Sequence, residues 1–235
     1  MSRPLIVTID GPAGVGKSTV SRIVAETLGY PYLDTGAIYR TLALRLGDGA
    51  DTLPERELRE LCGKLSFCLE GSGSSTQLLA NGSPVGGEIR NETVGAMAAR
   101  LAAVPVVREH LLTVQRSLGA ASSLVAEGRD MGSRVFADAR CKFFLDAAAE
   151  VRAERRCKEL RARGEPAALE ELAEQIRRRD AIDRTRAVDP LRPAPDAAII
   201  DTSFMSIAAV VNAVLRAVSC PDQNHAGSSG QRSAL

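Results

Sequence analysis

Residues 10–19 read DGPAGVGKST, directly after the apolar and β-branched run Leu5-Ile6-Val7-Thr8-Ile9. The glycines and a proline end a strand, and Val20, Ile23, Val24 and Leu28 then continue as the apolar stripe of a helix. Residues Gly11-Pro12-Ala13-Gly14-Val15-Gly16-Lys17-Ser18 fit G-x-x-x-x-G-K-[ST] in full. Flexibility alone does not require the lysine, whereas a chain of phosphates does. Small residues let the backbone wrap an anion with its N–H groups turned inward. The helix that follows offers unpaired N–H groups and the positive end of its dipole. Lys17 supplies a mobile charge for the β- and γ-phosphates, Ser18 can hold Mg²⁺, and Thr19 can hydrogen-bond a phosphate. A nicotinamide-type G-x-G-x-x-G is absent, because Thr19 stands at its third glycine. No Asn is followed by Lys, so the N-K-x-D guanine reader of a GTPase is also missing.

The surrounding pattern says where this loop sits. Strand-like runs recur at 5–10, 30–34, 123–127, 141–146 and 197–201, several apolar throughout, as strands buried on both faces are. Helical stretches at 17–28, 36–46, 91–103, 105–118, 148–162, 168–186 and 206–218 separate them. This alternation predicts a parallel sheet of five strands covered by helices. One segment departs from it. Residues 64–89 carry short β-like pieces, Gly/Ser clusters and Asn81-Gly82, a hairpin signal. They predict a small antiparallel insertion projecting from the main sheet, with a long loop as the alternative.

Composition narrows the partners. The 235 residues have a formal charge of +1, which argues against a nucleic-acid footprint. Any phosphate affinity must come from local placement of charge. Trp is absent and aromatics are sparse, so a stacking platform for single strands is not expected. Five cysteines without a C-x-x-C pair, and two histidines, predict reduced thiols and no zinc site. No apolar run approaches the ~18 residues of a membrane span, and Met1 leads straight into the first strand. A soluble, cytoplasmic, monomeric protein is expected, one domain over 1–218, with a polar, disordered tail over 219–235.

Four clusters suggest a second anion site. In LDTGAIYR, Asp34 and Thr35 can cap a helix, which leaves Arg40 unexplained. VPVVREH places Arg108 on a helix. AEGRDMGSR runs an apolar strand into Glu127, Arg129 and Asp130, at the strand end where open α/β sheets bind ligands. In IRRRDAIDRTR, helical phase puts Leu172, Ile176, Arg179, Asp183 and Arg186 on one inward stripe. Inward charges need partners, either each other or a bound phosphate and ribose. Arg40, Arg129, Arg179 and Arg186 together could clamp a dianion apart from Lys17. Two phosphate sites suggest transfer between them, by positioning and charge neutralisation.

As a set, IDGPAGVGKST, YLDTGAIYR, GEIRNETV, AEGRDMGSRVFADA, KFFLDA and RRRDAIDRTRAVDPL resemble the bacterial cytidylate kinases, over about residues 5–218. The resemblance implies an enzyme of the P-loop nucleoside monophosphate kinase type, using ATP and Mg²⁺ to convert CMP and dCMP to the diphosphates. It implies that Gly11 through Thr19 hold ATP, that Ser18 holds the metal, and that Lys17, Arg40, Arg129 and Arg186 act on the transferring group. It further implies that Thr35 approaches the acceptor and that Arg40, Arg129 and Arg186 clamp its phosphate. Arg108 and Asp130 would read cytosine, and Arg179 and Asp183 would contact the ribose. Residues 64–103 would form the acceptor-binding insertion and about 153–167 a short helical lid, with Arg155 or Arg156 reaching ATP. Glu127 would order a magnesium-bound water. The family commonly has Ser where this chain has Ala99, so a weaker cytosine preference is expected. A kinase for UMP or dTMP, and a non-catalytic ATP-binding module, are the competing readings.

Overall fold

A computed structural model describes residues 3–162 and 164–219. The chain runs β1 (Ile6–Asp10), α1 (Lys17–Leu28), β2 (Tyr32–Asp34), α2 (Thr35–Leu46), α3 (Glu55–Gly63), β3 (Phe67–Glu70), β4 (Gln77–Ala80), β5 (Ser83–Pro84), α4 (Glu92–Leu101), α5 (Pro105–Ala121), β6 (Leu124–Gly128), β7 (Cys141–Asp146), α6 (Ala149–Ala162), α7 (Leu169–Thr185), β8 (Ala198–Asp201) and α8 (Ile207–Ser219). A five-stranded sheet has the order β2-β6-β1-β7-β8, and every neighbouring pair in it is parallel.

Burial on both faces explains the apolar runs. Within β6, Leu124 and Ala126 join the core beneath α2, α4 and α5, while Val125 joins the opposite core beneath α1 and α8. The last strand departs from the pattern. β8 is an edge, and Ile199 is 64% exposed. Its apolar sequence reads like a central strand, but no outer neighbour covers it.

The predicted insertion is a second, three-stranded antiparallel sheet, β3-β4-β5. Asn81 (φ 50°) and Gly82 (φ 74°) make its turn with two left-handed residues, the geometry a tight hairpin requires. The insertion does not simply project. Phe67, Leu69 and Leu78 pack on the main core, and Gly73 N donates to Tyr30 O at 2.8 Å. Helix α3 was not anticipated. Pro54 opens it, Glu55 and Glu57 favour its first turn, and Leu58 and Cys62 bury one face. The four cysteines among the described residues are free thiols. Among those residues no helix is long and apolar enough to cross a membrane. Of the tail expected over 219–235, Ser219 closes α8 and the remainder lies outside the described residues.

Candidate active site

The register aligns the strand ends. Asp10 of β1 lies opposite Gly128 of β6, and Asp34 of β2 opposite Glu127. All four therefore meet at the carboxyl edge of the sheet, beside β1, where the strand order turns to either side.

The first element is a main-chain loop. Gly11, Gly14 and Gly16 take φ of 147°, 76° and 95°. A Cβ on Gly11 would lie 2.1 Å from Leu145 O, so a side chain there is excluded. Gly16 caps α1 with no side-chain partner for the helix amides. Lys17 Nζ donates to Pro12 O at 2.6 Å. Burial, with Arg129 nearby, pushes the Lys17 ammonium down to about 7. Ser18 and Thr19 are exposed at the helix start, while Val15 turns into the core.

Beside this loop, Glu127 is buried and accepts from Ser18 Oγ at 2.7 Å and from Tyr32 OH at 2.6 Å, both at one carboxylate oxygen. Its second oxygen is buried without a hydrogen-bond partner. Burial, and the Asp34 carboxylate, raise the Glu127 carboxyl above its ordinary range. Asp10 accepts from Met131 N at 2.9 Å and Gly132 N at 2.8 Å. Burial nonetheless pushes it up to about 7.

The second element is built from side chains on many segments. Arg40 from α2 pairs with Asp34 at 3.2 Å. Asp34 also caps α2 by accepting from Ala37 N. Thr35 is the first residue of that helix, not its cap, and its hydroxyl donates to Glu127 O at 2.7 Å. Arg129, just past β6, pairs with Asp183 of α7 at 2.9 Å. Arg108 from α5 is 6% exposed and pairs with Asp130 and with Asp189, the latter at 2.9 Å. Arg186 stands 3.6 Å from Asp130. Two carboxyls shift oppositely. Burial raises Asp130 despite Arg108 and Arg186. Burial is outweighed at Asp183, where Arg129 holds the carboxyl below its ordinary value.

One cavity of about 250 Å³ joins the two elements. Ala13, Gly14, Lys17 and Ser18 line one end of it. Arg40, Arg108, Arg129, Asp130, Arg179, Asp183, Arg186 and Thr35 line the rest, so every acceptor-side residue named from sequence reaches it. Gly11, Pro12, Val15 and Gly16 shape the loop behind it and do not line it, and neither does Thr19 at the start of α1.

Two details differ from the helical-phase expectation. Arg179 lines the cavity with Asp183, and burial lowers its guanidinium pKa, yet the residue as a whole stays exposed and does not enter the apolar core. Arg186 does not belong to the stripe, because α7 ends at Thr185 and Arg186 has extended backbone, φ −58° and ψ 141°. Arg155 and Arg156, expected to reach ATP, do not line the cavity. Arg155 donates to Thr202 O at 2.5 Å and Arg156 faces Glu159 at 3.3 Å.

Sequence reasoning missed Arg152, Asp180, Tyr32, Tyr39 and Asp189. Arg152 is 3% exposed, donates to Ala13 O at 3.0 Å and forks onto Asp180, so α6 and α7 brace the phosphate loop. Tyr39 lines the cavity, and burial pushes its phenol up to about 12. Arg152 was hidden among neighbouring charges, with nothing in the sequence to set it apart from them.

The cytidylate kinase family profile matches residues 7–220. The chain belongs to the cytidylate kinase family. A cytidylate kinase of Nitratidesulfovibrio vulgaris (strain DP4) is 54% identical over 217 residues, spanning 92% of this chain and 94% of its own length. One from Oleidesulfovibrio alaskensis is 50% identical over 215 residues, spanning 92% and 98%. A solved gluconokinase from Sinorhizobium meliloti 1021 covers 98% of this chain at 17% identity and a TM-score of 0.43, too distant to add to the sheet order described above.

Proposed function

We infer that this chain transfers the γ-phosphoryl group of ATP to the phosphate of CMP or dCMP, giving ADP and the nucleoside diphosphate. Family membership supports the reaction. The observation that carries the assignment of residues is the single cavity with Lys17 at one end and the Arg108–Asp130–Arg186 group at the other.

The acceptor is already an anion, so its attack needs no base. The chain's task is to bring two anions together in line and to neutralise them. Gly11 through Thr19 would hold the triphosphate through main-chain amides and Lys17. Burial lowers the Lys17 ammonium to about 7, and phosphate oxygens beside it would favour the charged form. Arg40, Arg129 and Arg186 would bind the acceptor phosphate and stabilise the charge that spreads over the transferring group. Arg129 and Arg40 are held by Asp183 and Asp34, which keeps them aimed without a ligand. Arg179, with Asp183, would contact the ribose. Arg108 and Asp130 would read the base, the carboxylate accepting from an exocyclic amine.

The donor set fits a magnesium ion. The Ser18 hydroxyl is a hard oxygen at the helix start, and the free oxygen of Glu127 suits a water on such an ion. Ser18 would hold the metal and Glu127 would orient its water. Bound with the triphosphate, magnesium would supply further charge neutralisation there.

Residues 64–103 would serve as the acceptor-binding insertion, and the end of α6 with the turn after it as a lid that excludes water. Arg155 and Arg156 would need to leave Thr202 and Glu159 to touch ATP.

A coupled ADP assay across CMP, dCMP, UMP, AMP and dTMP tests the reading. CMP and dCMP are expected to be the best acceptors. Equal or better use of UMP overturns the cytosine assignment, and rapid ATP hydrolysis without acceptor contradicts the water-excluding lid.

A further inference from the structure

Asp189 lies between α7 and β8 with a left-handed backbone, φ 47°, a region where a residue carrying Cβ is uncommon. From there one residue grips two arginines. Its carboxylate accepts from Arg108 Nε at 2.9 Å. Its main-chain carbonyl accepts from Arg186 Nε at 2.6 Å. Its second carboxylate oxygen stands 3.4 Å from Arg134 Nε. The rest of the Arg108 fork goes to Ala102 O, at 3.2 Å, and to Asp130. Because Nε is held by Asp189, Asp130 receives a hydrogen bond from a single terminal nitrogen of Arg108. Its other oxygen faces Arg186 at 3.6 Å, beyond hydrogen-bond range. Asp130 therefore keeps accepting capacity toward the cavity it lines.

We propose that Asp189 is a positioning residue that sets acceptor-base selectivity by keeping Arg108 from closing bidentately on Asp130. The proposal rests on the reading of this end of the cavity as the base site. The left-handed turn at Asp189 serves both ends of the acceptor, its carboxylate placing the base-facing arginine and its carbonyl the phosphate-facing one. Without that carboxylate, the Nε edge of Arg108 is free to join its terminal nitrogen on Asp130, since guanidinium and carboxylate favour the two-bond fork. Asp130 then has fewer lone pairs for an exocyclic amine, and the terminal nitrogen turned away can donate to a carbonyl instead. Preference moves from an amino- toward an oxo-pyrimidine.

The test compares kcat/KM for CMP and for UMP, KM for ATP, and Tm, in the wild type, Asp189→Asn and Asp189→Gly. Asn tolerates the left-handed backbone and keeps a neutral acceptor; Gly removes the side chain while relieving the backbone. The CMP-to-UMP ratio is expected to fall about threefold in Asp189→Asn and roughly tenfold in Asp189→Gly, as suits loss of one charge-assisted hydrogen bond. KM for ATP and Tm should stay near wild type. An unchanged ratio in Asp189→Gly overturns the proposal. So does a parallel rise in KM for ATP with equal losses on CMP and UMP, which would mark a general structural role. A wild type without cytosine preference instead overturns the reading of the base site, and Asp189 falls with it.

Discussion

The two ends of the cavity are made in different ways. The Lys17 end is one continuous stretch, whose main-chain direction is set by glycines with positive φ. The acceptor end has no continuous stretch. Its guanidinium groups come from α2, α5, the end of β6, α7 and the residue after α7, and most of those paired at the site are held by an aspartate: Arg40 by Asp34, Arg129 by Asp183, Arg108 by Asp130 and Asp189. A backbone-built site fails through sterics and takes the fold with it. A side-chain-built site can lose one member while its neighbours stay placed.

Arg186→Ala should separate the ends most sharply. It removes a cavity-lining charge whose amino nitrogen is buried without a hydrogen bond. We expect kcat with CMP to fall roughly 10²–10³-fold, the scale of losing one transition-state donor, with ATP affinity by calorimetry unchanged. A parallel loss of ATP affinity would erase the distinction between the ends. A pure ATP-binding module would show no turnover to lose.

Gly11→Ala should show the other mode of failure. The added carbon would stand 2.1 Å from Leu145 O at φ 147°, so strand β7 and the loop cannot both keep their places. Denaturant titration should find a loss of about 1–3 kcal/mol, with ATP binding reduced as well. A fully stable variant that binds ATP normally would show that the loop tolerates displacement.

Asp10 joins the two ends, since it closes β1 and accepts from the amides of Met131 and Gly132, which follow Asp130. Its pKa is raised from 3.8 to about 7 by burial. The folded chain therefore holds this proton between about pH 4 and 7 while the unfolded chain has lost it. The associated stability is present at the acid end and declines as pH rises through about 7. Asp10→Asn, which cannot ionise, should flatten that decline by on the order of 3 kcal/mol between pH 4.5 and 8. An identical pH profile in both proteins would show that Asp10 ionises at its ordinary value.

Ala99→Ser should have the smallest effect and sharpens the acceptor end alone. Ala99 is half-buried on α4 and lines the cavity. A hydroxyl there adds one hydrogen bond, about 0.5–1.5 kcal/mol, read as a several-fold gain in kcat/KM for CMP with KM for ATP unmoved. No gain, or a loss, would remove this position from base recognition.

What could be read from sequence follows the same division. The Asn81-Gly82 turn and the DGPAGVGKST loop were legible because each is local chemistry, with a backbone demand that few residue types meet. Helix α3 carried legible signals, Pro54 with Glu55 and Glu57 and the Leu58/Cys62 spacing, that went unread between stronger features. Arg186 was placed on the stripe of Arg179 and Asp183 because helical phase is blind to where a helix stops. The chain leaves α7 at Thr185, and Arg186 reaches the cavity through extended backbone. Arg152 was illegible for another reason: a basic run on an exposed helix looks the same whether or not one member is pinned between Ala13 and Asp180.

By itself, then, the amino-acid order determined the phosphate loop, the alternation of strands and helices, and the set of charged residue types available at strand ends. Tertiary structure alone decided which carboxylate holds which guanidinium. It gave Asp34 to Arg40, Asp183 to Arg129, and placed Asp189 in a left-handed turn between Arg108 and Arg186. Main-chain geometry is dictated by neighbours in sequence. Ion pairing is dictated by distance in space, and residues 108 and 189 become neighbours only once the sheet has formed.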